Sequence, residues 1–260
     1  PPATRTLDGH PAAPRDQALV AQYEAFLRGG RIAWTRHYKF VRRIGSGGQG
    51  VVYLAVHRGA DHFTLPVAAK IFSPARYPSA NAYYEAMVRV AQIATRTAAI
   101  QNDHLVAVHN FADVGGVRVL IMEWLDGYDL ACLLTDQMFR RSRDRLSRRR
   151  WQYLNQTTIT DGSFRPRLRP DVAFKLLGDC LHALAALERE GIVHGDLKPS
   201  NIMLKRSGSA KIIDLGSSFH RDDPPPRRTC TPTYAAPEVL EGATPSLQSD
   251  LASLGYVFVE

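Results

Sequence analysis

The sequence predicts an α+β fold of two lobes, a small antiparallel sheet with one long helix followed by a mainly helical lobe. Three observations carry this. From Tyr38 to about Phe72 the apolar residues alternate or cluster with β-branched types (YKFVRRI, VVYLAV, LPVAAKIF) between Gly-rich or polar turns, the pattern of an antiparallel meander. Ser79 to Ile100 has the spacing of a long helix, after which two strand-like runs, LVAVHNFADV and VRVLIMEWL, meet at Gly115-Gly116, a strong hairpin signal. After Gly127 the periodicity becomes helical, first from Asp129 to about Met138 and then from Asp171 to Glu190, where Val172, Leu176, Leu177, Cys180, Leu181, Leu184 and Leu187 share a face.

Ahead of the meander, residues 1 to about 15 are rich in Pro, Ala and Gly and read as flexible. Asp16 to Arg28 has helical spacing (Leu19, Val20, Tyr23, Phe26, Leu27) behind an Asp cap, and Gly29-Gly30 ends it. The expected division is an extension over 1–37, a small lobe over 38–125 and a large lobe over 126–260, with an arginine-rich insertion at about 139–169. At 45% hydrophobic and 22% charged residues, the 260-residue chain has the balance of a globular protein rather than a disordered one. No stretch nears the roughly 18 apolar residues of a membrane span, and the opening PPATRTLDGHPAAPRDQ has no apolar signal-peptide core, so a cytoplasmic location is expected. Cys132, Cys180 and Cys230 are odd in number and far apart, which argues against a disulfide framework or a zinc site. The net charge of +8 is local: RRSRDRLSRRR, Arg140 to Arg150, holds seven arginines and one aspartate. That run reads as a solvated loop or as a docking site for an acidic or phosphorylated partner; nucleic acid is disfavoured because few aromatics are interleaved.

The chemistry begins at GSGGQGVV, where Gly45, Gly47 and Gly50 stand at GxGxxG spacing between two strand-like segments. Glycines let backbone N–H groups approach a phosphate, and a strand-to-strand setting differs from the strand-to-helix turn of dinucleotide folds, although a plain turn has the same spelling. VAAK then sets Lys70 in an apolar strand, where an inward ammonium needs an anion; an edge-strand lysine in solvent is the alternative. The densest polar segment, VHGDLKPSNIML, packs His194, Asp196, Lys198 and Asn201 behind a long amphipathic helix. KIIDLG follows, ending an apolar strand in Asp214 and Gly216, so that a second carboxylate joins Asn201 as an oxygen donor for a hard cation.

From Tyr38 onward the chain resembles the eukaryotic-type (Hanks-type) serine/threonine protein kinases. The Gly-rich loop, strand lysine, catalytic loop, Asp-x-Gly, Ala236-Pro237-Glu238 and Asp250-x-x-Ser253-Leu254-Gly255 occur in that family's order. The resemblance implies the two-lobed kinase fold, ATP with Mg2+ or Mn2+ as cofactors, and a protein serine or threonine as acceptor. It implies that the backbone of Gly45, Ser46, Gly47, Gly48, Gln49 and Gly50 covers the phosphates and that Lys70 holds two of them. Val52 and Ala68 would roof the adenine and Met203 floor it, with Met122 guarding the back pocket and Glu123 and Leu125 forming the hinge. Asp196 would be the catalytic base, Asn201 and Asp214 the metal ligands, and Lys198 a mark of the serine/threonine type. His194 would pack, and Asp250 would brace the catalytic-loop backbone.

The chain departs from the family at several points. Gly195 stands where an arginine usually precedes the catalytic Asp, which predicts that activation-segment phosphate has no dedicated partner there. The segment still holds Ser217, Ser218, Thr229, Thr231 and Thr233, with Thr231 matching the family's substrate-side threonine. Glu85, the only acidic residue between Asp61 and Asp103, is the helix acid the resemblance offers to Lys70; an ion pair with Arg89 at i+4 is the competing reading. The chain stops at Glu260 inside what reads as the central helix of the large lobe, leaving Glu238 without the arginine it would meet there, so a fragment is expected. An active kinase is the leading expectation; a pseudokinase or nucleotide-binding regulatory scaffold is the alternative, and small-molecule phosphorylation a third.

Overall fold

The computed structural model describes residues 5–6, 16–29, 38–59, 61–133, 159–161, 166–226 and 229–259, with scattered positions between 135 and 152. Strand β1 (Arg5–Thr6) and helix α1 (Gln17–Gly29) precede the small lobe. That lobe holds β2 (Tyr38–Gly47), β3 (Gly50–Arg58), β4 (Thr64–Phe72), α2 (Ala80–Ala99), β5 (Val108–Val114) and β6 (Val117–Glu123). Its sheet is antiparallel in the order β2-β3-β4-β6-β5. β5 turns into β6 at Gly115 and Gly116, both at positive φ, as the Gly-Gly signal requires. Helix α2 starts where Ser79 accepts a hydrogen bond from Ala82 N–H (3.2 Å), an N-cap. It packs Tyr83, Met87, Val90 and Ala94 on Ile71, Leu120 and Ile121.

At the N-terminus one expectation is refined and one changes. Leu19 and Tyr23 of α1 are buried in this same core, so the helix of the expected extension packs onto the small lobe. Within the stretch expected to be flexible, β1 pairs antiparallel with β14 (Thr229–Cys230), Arg5 opposite Cys230 and Thr6 opposite Thr229.

The large lobe opens with β7 (Gly127–Asp129) and α3 (Leu130–Leu133). The helix expected from Asp129 to about Met138 therefore begins one residue later; Asp129 is its cap, accepting from Cys132 N–H at 2.7 Å, and part of its continuation lies outside the described residues. Strand β7 was not foreseen. It forms because Gly127 lies so close to the next strand that a Cβ would sit 2.2 Å from Leu204 O. Most of the arginine run, and with it the docking expectation, falls outside the described residues; of the insertion, β8 (Ile159–Asp161) pairs with β9 (Pro166–Leu168).

Helix α4 (Pro170–Arg189) follows, then β10 (Ile192–Val193), β11 (Ile202–Lys205), β12 (Ala210–Ile212), β13 (Phe219–His220), β14, α5 (Pro237–Leu240) and α6 (Leu247–Val259). Leu176, Leu184 and Leu187 of α4 meet Leu254 of α6 and Ile212 of β12 in a second core. β7, β11 and β12 make a three-stranded sheet, and β10 pairs with β13. The lobes are joined by backbone at Leu105, which bridges to Ile212, with Ile212 N–H donating to His104 O at 2.8 Å and Val106 N–H to Ile212 O at 3.0 Å. Among the described residues no helix is long and apolar enough to cross a membrane.

Candidate active site

The glycine motif lies on the β2–β3 hairpin, with Gly45 opposite Val52, Ser46 opposite Val51 and Gly47 opposite Gly50, so that Gly48 and Gln49 form the tip. Gly50 adopts φ +143°, and a Cβ there would lie 1.9 Å from Ile71 O, so the tight approach of β3 to β4 excludes any side chain. Val52 stands opposite Lys70 on β4, and Ala68 opposite Met122 on β6. Ala68, Met122 and Leu125 are buried and Val52 and Met203 partly so, an apolar slot fit for a planar base.

Lys70 is 4% exposed and points inward, which settles the choice against an edge-strand lysine. Its ammonium bonds Asp214 Oδ1 and Gln49 Oε1. Glu85 is not among its partners. It lies on the exposed face of α2 with no hydrogen bond or ion pair to either Lys70 or Arg89, because the inward face of that helix is set by Tyr83, Met87 and Val90. The expected helix-acid pairing is thereby corrected.

Asp214 occupies a left-handed backbone position (φ +69°), and its Oδ1 also accepts from Gly216 N–H at 3.0 Å. Burial would raise its pKa, but the Lys70 ammonium and the Gly216 N–H outweigh that and hold it at about 2. The group is thus ionised, with Oδ2 uncommitted. Asn201, 5% exposed, spends Nδ2 on Asp196 O (2.8 Å), while its backbone carbonyl accepts from Ile213 N–H (2.8 Å); Oδ1 is left as an acceptor. An ionised carboxylate oxygen and an amide oxygen suit a hard cation that takes its remaining ligands from phosphate and water. Among the described residues no group of three His, Cys, Asp or Glu side chains forms a metal site of its own.

The catalytic loop is held from beneath. Asp250, 2% exposed at the start of α6, accepts from His194 N–H (2.7 Å) and Gly195 N–H (2.9 Å), the brace expected of it. Burial pushes its pKa above the ordinary carboxylate value against the pull of His194 and those two N–H groups. Asp196 N–H donates to His194 Nδ1 (3.4 Å), which puts the ring proton on Nε2, 3.3 Å from Ile213 O; His194 is a buried packing and hydrogen-bonding residue. The Asp196 carboxylate accepts from Thr231 Oγ1 (2.8 Å) through one oxygen and lies 2.6 Å from Lys198 Nζ through the other, while Lys198 also reaches Thr231 Oγ1 (3.1 Å). A carboxylate, an ammonium and an alcohol converge there.

Three features escaped the sequence reading. Lys211, 7% exposed on β12, bonds the Glu123 carboxylate and donates to Leu105 O (3.1 Å), and Glu123 Oε1 also accepts from Ala107 N–H (2.7 Å). Glu123 thus ties both lobes together through its side chain, and its N–H is committed to Ala107 O (2.9 Å). A lysine opening the apolar run KIIDLG was the available signal. The second feature is the side chain of Gln49, expected to contribute backbone alone. The third is Glu238, exposed rather than buried and accepting from Ser249 Oγ at 2.9 Å, so it has a partner within the chain.

Known proteins match this arrangement. The protein kinase domain family matches residues 38–260. The chain is 28% identical over 227 residues to the serine/threonine-protein kinase PknH of Mycobacterium tuberculosis, covering 86% of this chain and 31% of that protein. It is 29% identical over 228 residues to PknD of the same organism (86% and 29%), and 28% identical over 229 residues to PkaB of Streptomyces coelicolor (84% and 46%). The chain thus spans less than half the length of these curated relatives. With the family matched from the first strand of the small-lobe sheet through α6, and its motifs gathered at one cleft, the chain belongs to the protein kinase family.

Proposed function

We propose that this chain is a serine/threonine protein kinase, transferring the γ-phosphoryl group of ATP to a protein hydroxyl with Mg2+ or Mn2+. The observation that carries the reading is the contact between Asp196 and Thr231: the carboxylate already accepts a hydrogen bond from an alcohol at 2.8 Å. A substrate serine or threonine placed beside Thr231 meets the same carboxylate oriented as a base. Lys198, bonded to both, adds positive charge where the transferring group carries negative charge. When bound, ATP supplies the phosphoryl group and the cation screens its charge. Lys70 and the hairpin glycines suit the phosphates, Asp214 Oδ2 and Asn201 Oδ1 the cation, and the slot of Val52, Ala68, Met122, Leu125 and Met203 the base. The names of the bacterial relatives support the serine/threonine class. The exposure of Glu85 does not carry the scaffold alternative, since Lys70 is held without it.

The test is transfer from labelled ATP to a generic protein acceptor, with phosphosites mapped by mass spectrometry. Asp196→Asn should keep ATP binding and lower transfer by about 10² or more, and Asp214→Asn should abolish the metal-dependent rate. ATP binding without transfer in the unaltered chain would establish the scaffold instead.

A further inference from the structure

The Lys70 side chain is 5% exposed, and a buried ammonium with three N–H donors requires acceptors. Helix α2 supplies none. Its buried side chains are Tyr83, Met87, Val90, Ile93, Ala94 and Thr97, its single acid is exposed, and the Tyr83 hydroxyl is engaged with Phe72 O (3.3 Å) and Arg118 N–H (2.7 Å). The acceptor beside Asp214 comes from the hairpin tip instead, from Gln49.

That glutamine is pinned at several points. Its backbone carbonyl accepts from Ser73 N–H at 3.0 Å, its Nε2 donates to Ser217 Oγ at 2.8 Å, and its Oε1 is thereby turned to Lys70. The fit is close: a Cβ added at Gly216 would stand 1.9 Å from Oε1, so the absence of a side chain in the Asp214-Leu215-Gly216 turn is what admits the amide. Gly-rich hairpin, strand lysine and the turn after Asp214 thus form one hydrogen-bonded unit.

We propose that Gln49 is the positioning residue for Lys70, supplying from the glycine-rich tip the acceptor that α2 does not. A carboxamide orients the ammonium without neutralising it, leaving the whole positive charge for a phosphate. When Asp214 turns to a cation, Gln49 remains as the neutral tether. This role rests on the phosphotransferase reading above.

The test compares Gln49→Met, which keeps length but removes donor and acceptor, with Gln49→Glu, which keeps an acceptor. In nucleotide-free protein, acetylation of Lys70 by an N-hydroxysuccinimide ester, read by peptide mass spectrometry, should be at least about tenfold faster in Gln49→Met, as expected when one hydrogen bond to a charged group is lost. It should stay within about twofold of wild type in Gln49→Glu, whose oxygen replaces the amide. In steady-state transfer, Gln49→Met should lower kcat about tenfold with the KM for ATP changed less than about threefold, the split expected of an interaction that positions rather than binds, and Gln49→Glu should not recover that loss, because its carboxylate neutralises the ammonium. Unchanged Lys70 acetylation in Gln49→Met overturns the proposal, as does faster acetylation with unchanged kcat. A Gln49→Glu variant acetylated as fast as Gln49→Met does the same. Absence of transfer in the unaltered chain would overturn the phosphotransferase reading, and this one with it, and is recognised by appearing in wild type.

Discussion

Replacing Asp250 with alanine removes the acceptor of two N–H groups, that of buried His194 (2.7 Å) and that of half-buried Gly195 (2.9 Å). A buried donor left unsatisfied costs about 1–3 kcal/mol and a half-buried one less, so the pair amounts to about 2–5 kcal/mol. Part of that is offset. Burial opposes the ionisation of Asp250 and holds its pKa above the ordinary value, so keeping the charge inside is itself unfavourable and alanine removes that cost. The expected net loss of stability is about 2–4 kcal/mol. Asp250→Asn retains one acceptor oxygen but turns its NH2 toward the other N–H, for a loss of about 2 kcal/mol. Urea denaturation followed by tryptophan fluorescence reads both, and amide hydrogen exchange localises the effect. The His194 and Gly195 amides should exchange about 30-fold faster for 2 kcal/mol of local opening. A loss below about 0.5 kcal/mol with unaltered protection at those amides would refute the brace.

Two further outcomes follow from the buried charges. Because the pKa of Asp214 in the folded chain, about 2, lies below its ordinary 3.8, its contribution is present above about pH 4 and is lost as pH falls toward 2. That contribution is about 2 kcal/mol, so stability measured from pH 5 to 2 should fall less steeply in nucleotide-free Asp214→Asn than in wild type; parallel curves would count against the Lys70 contact. Lys211→Met should destabilise the chain by about 2 kcal/mol, below the range for wholly buried pairs because Glu123 keeps some solvent contact, and adding Glu123→Gln should recover part of it; a strictly additive double-mutant cycle would show that the two side chains do not interact.

The parts of this site that were legible in the sequence are those where local chemistry clashes with its surroundings. Lys70 inside VAAK and Asp214 at the end of KIID are charges in apolar runs, and each requires a partner whatever the fold. Gly115-Gly116 and the Ser79 cap mark turns and helix starts because few residues satisfy those backbone states. What could not be read is the identity of partners distant in sequence. Gln49 and Ser217 are 168 positions apart and Glu123 and Lys211 are 88 apart, and no local pattern pairs them. Glu85 was assigned by elimination, as the single acid on its helix, whereas the packing of Tyr83 and Met87 decides which face turns inward. Strand β7 escaped because three residues are too few for a period, and it exists through the close contact of Gly127 with Leu204.

Gly195 gains its meaning from this geometry. Its φ of +76° is a left-handed conformation that strains any residue with a side chain, and a Cβ there would lie 3.1 Å from Ser217 O, in the turn that Gln49 also grips. Glycine removes that strain and lets the two loops touch. The order an arginine and a phosphate would otherwise impose on the catalytic loop is already supplied within the chain. Asp250 holds the N–H groups of His194 and Gly195, Ser218 Oγ donates to His194 O at 3.2 Å, and the Asn201 side chain holds the Asp196 carbonyl. None of these contacts draws on a phosphate. The acceptor that Lys70 has besides Asp214 likewise comes from the Gly-rich hairpin rather than from α2, so contacts between the Gly-rich tip and the Asp214 turn stand where a helix acid would otherwise meet the lysine. Such a site is organised by contacts of its own, and the glycine-rich tip and the Asp214 turn are the elements that hold the lysine.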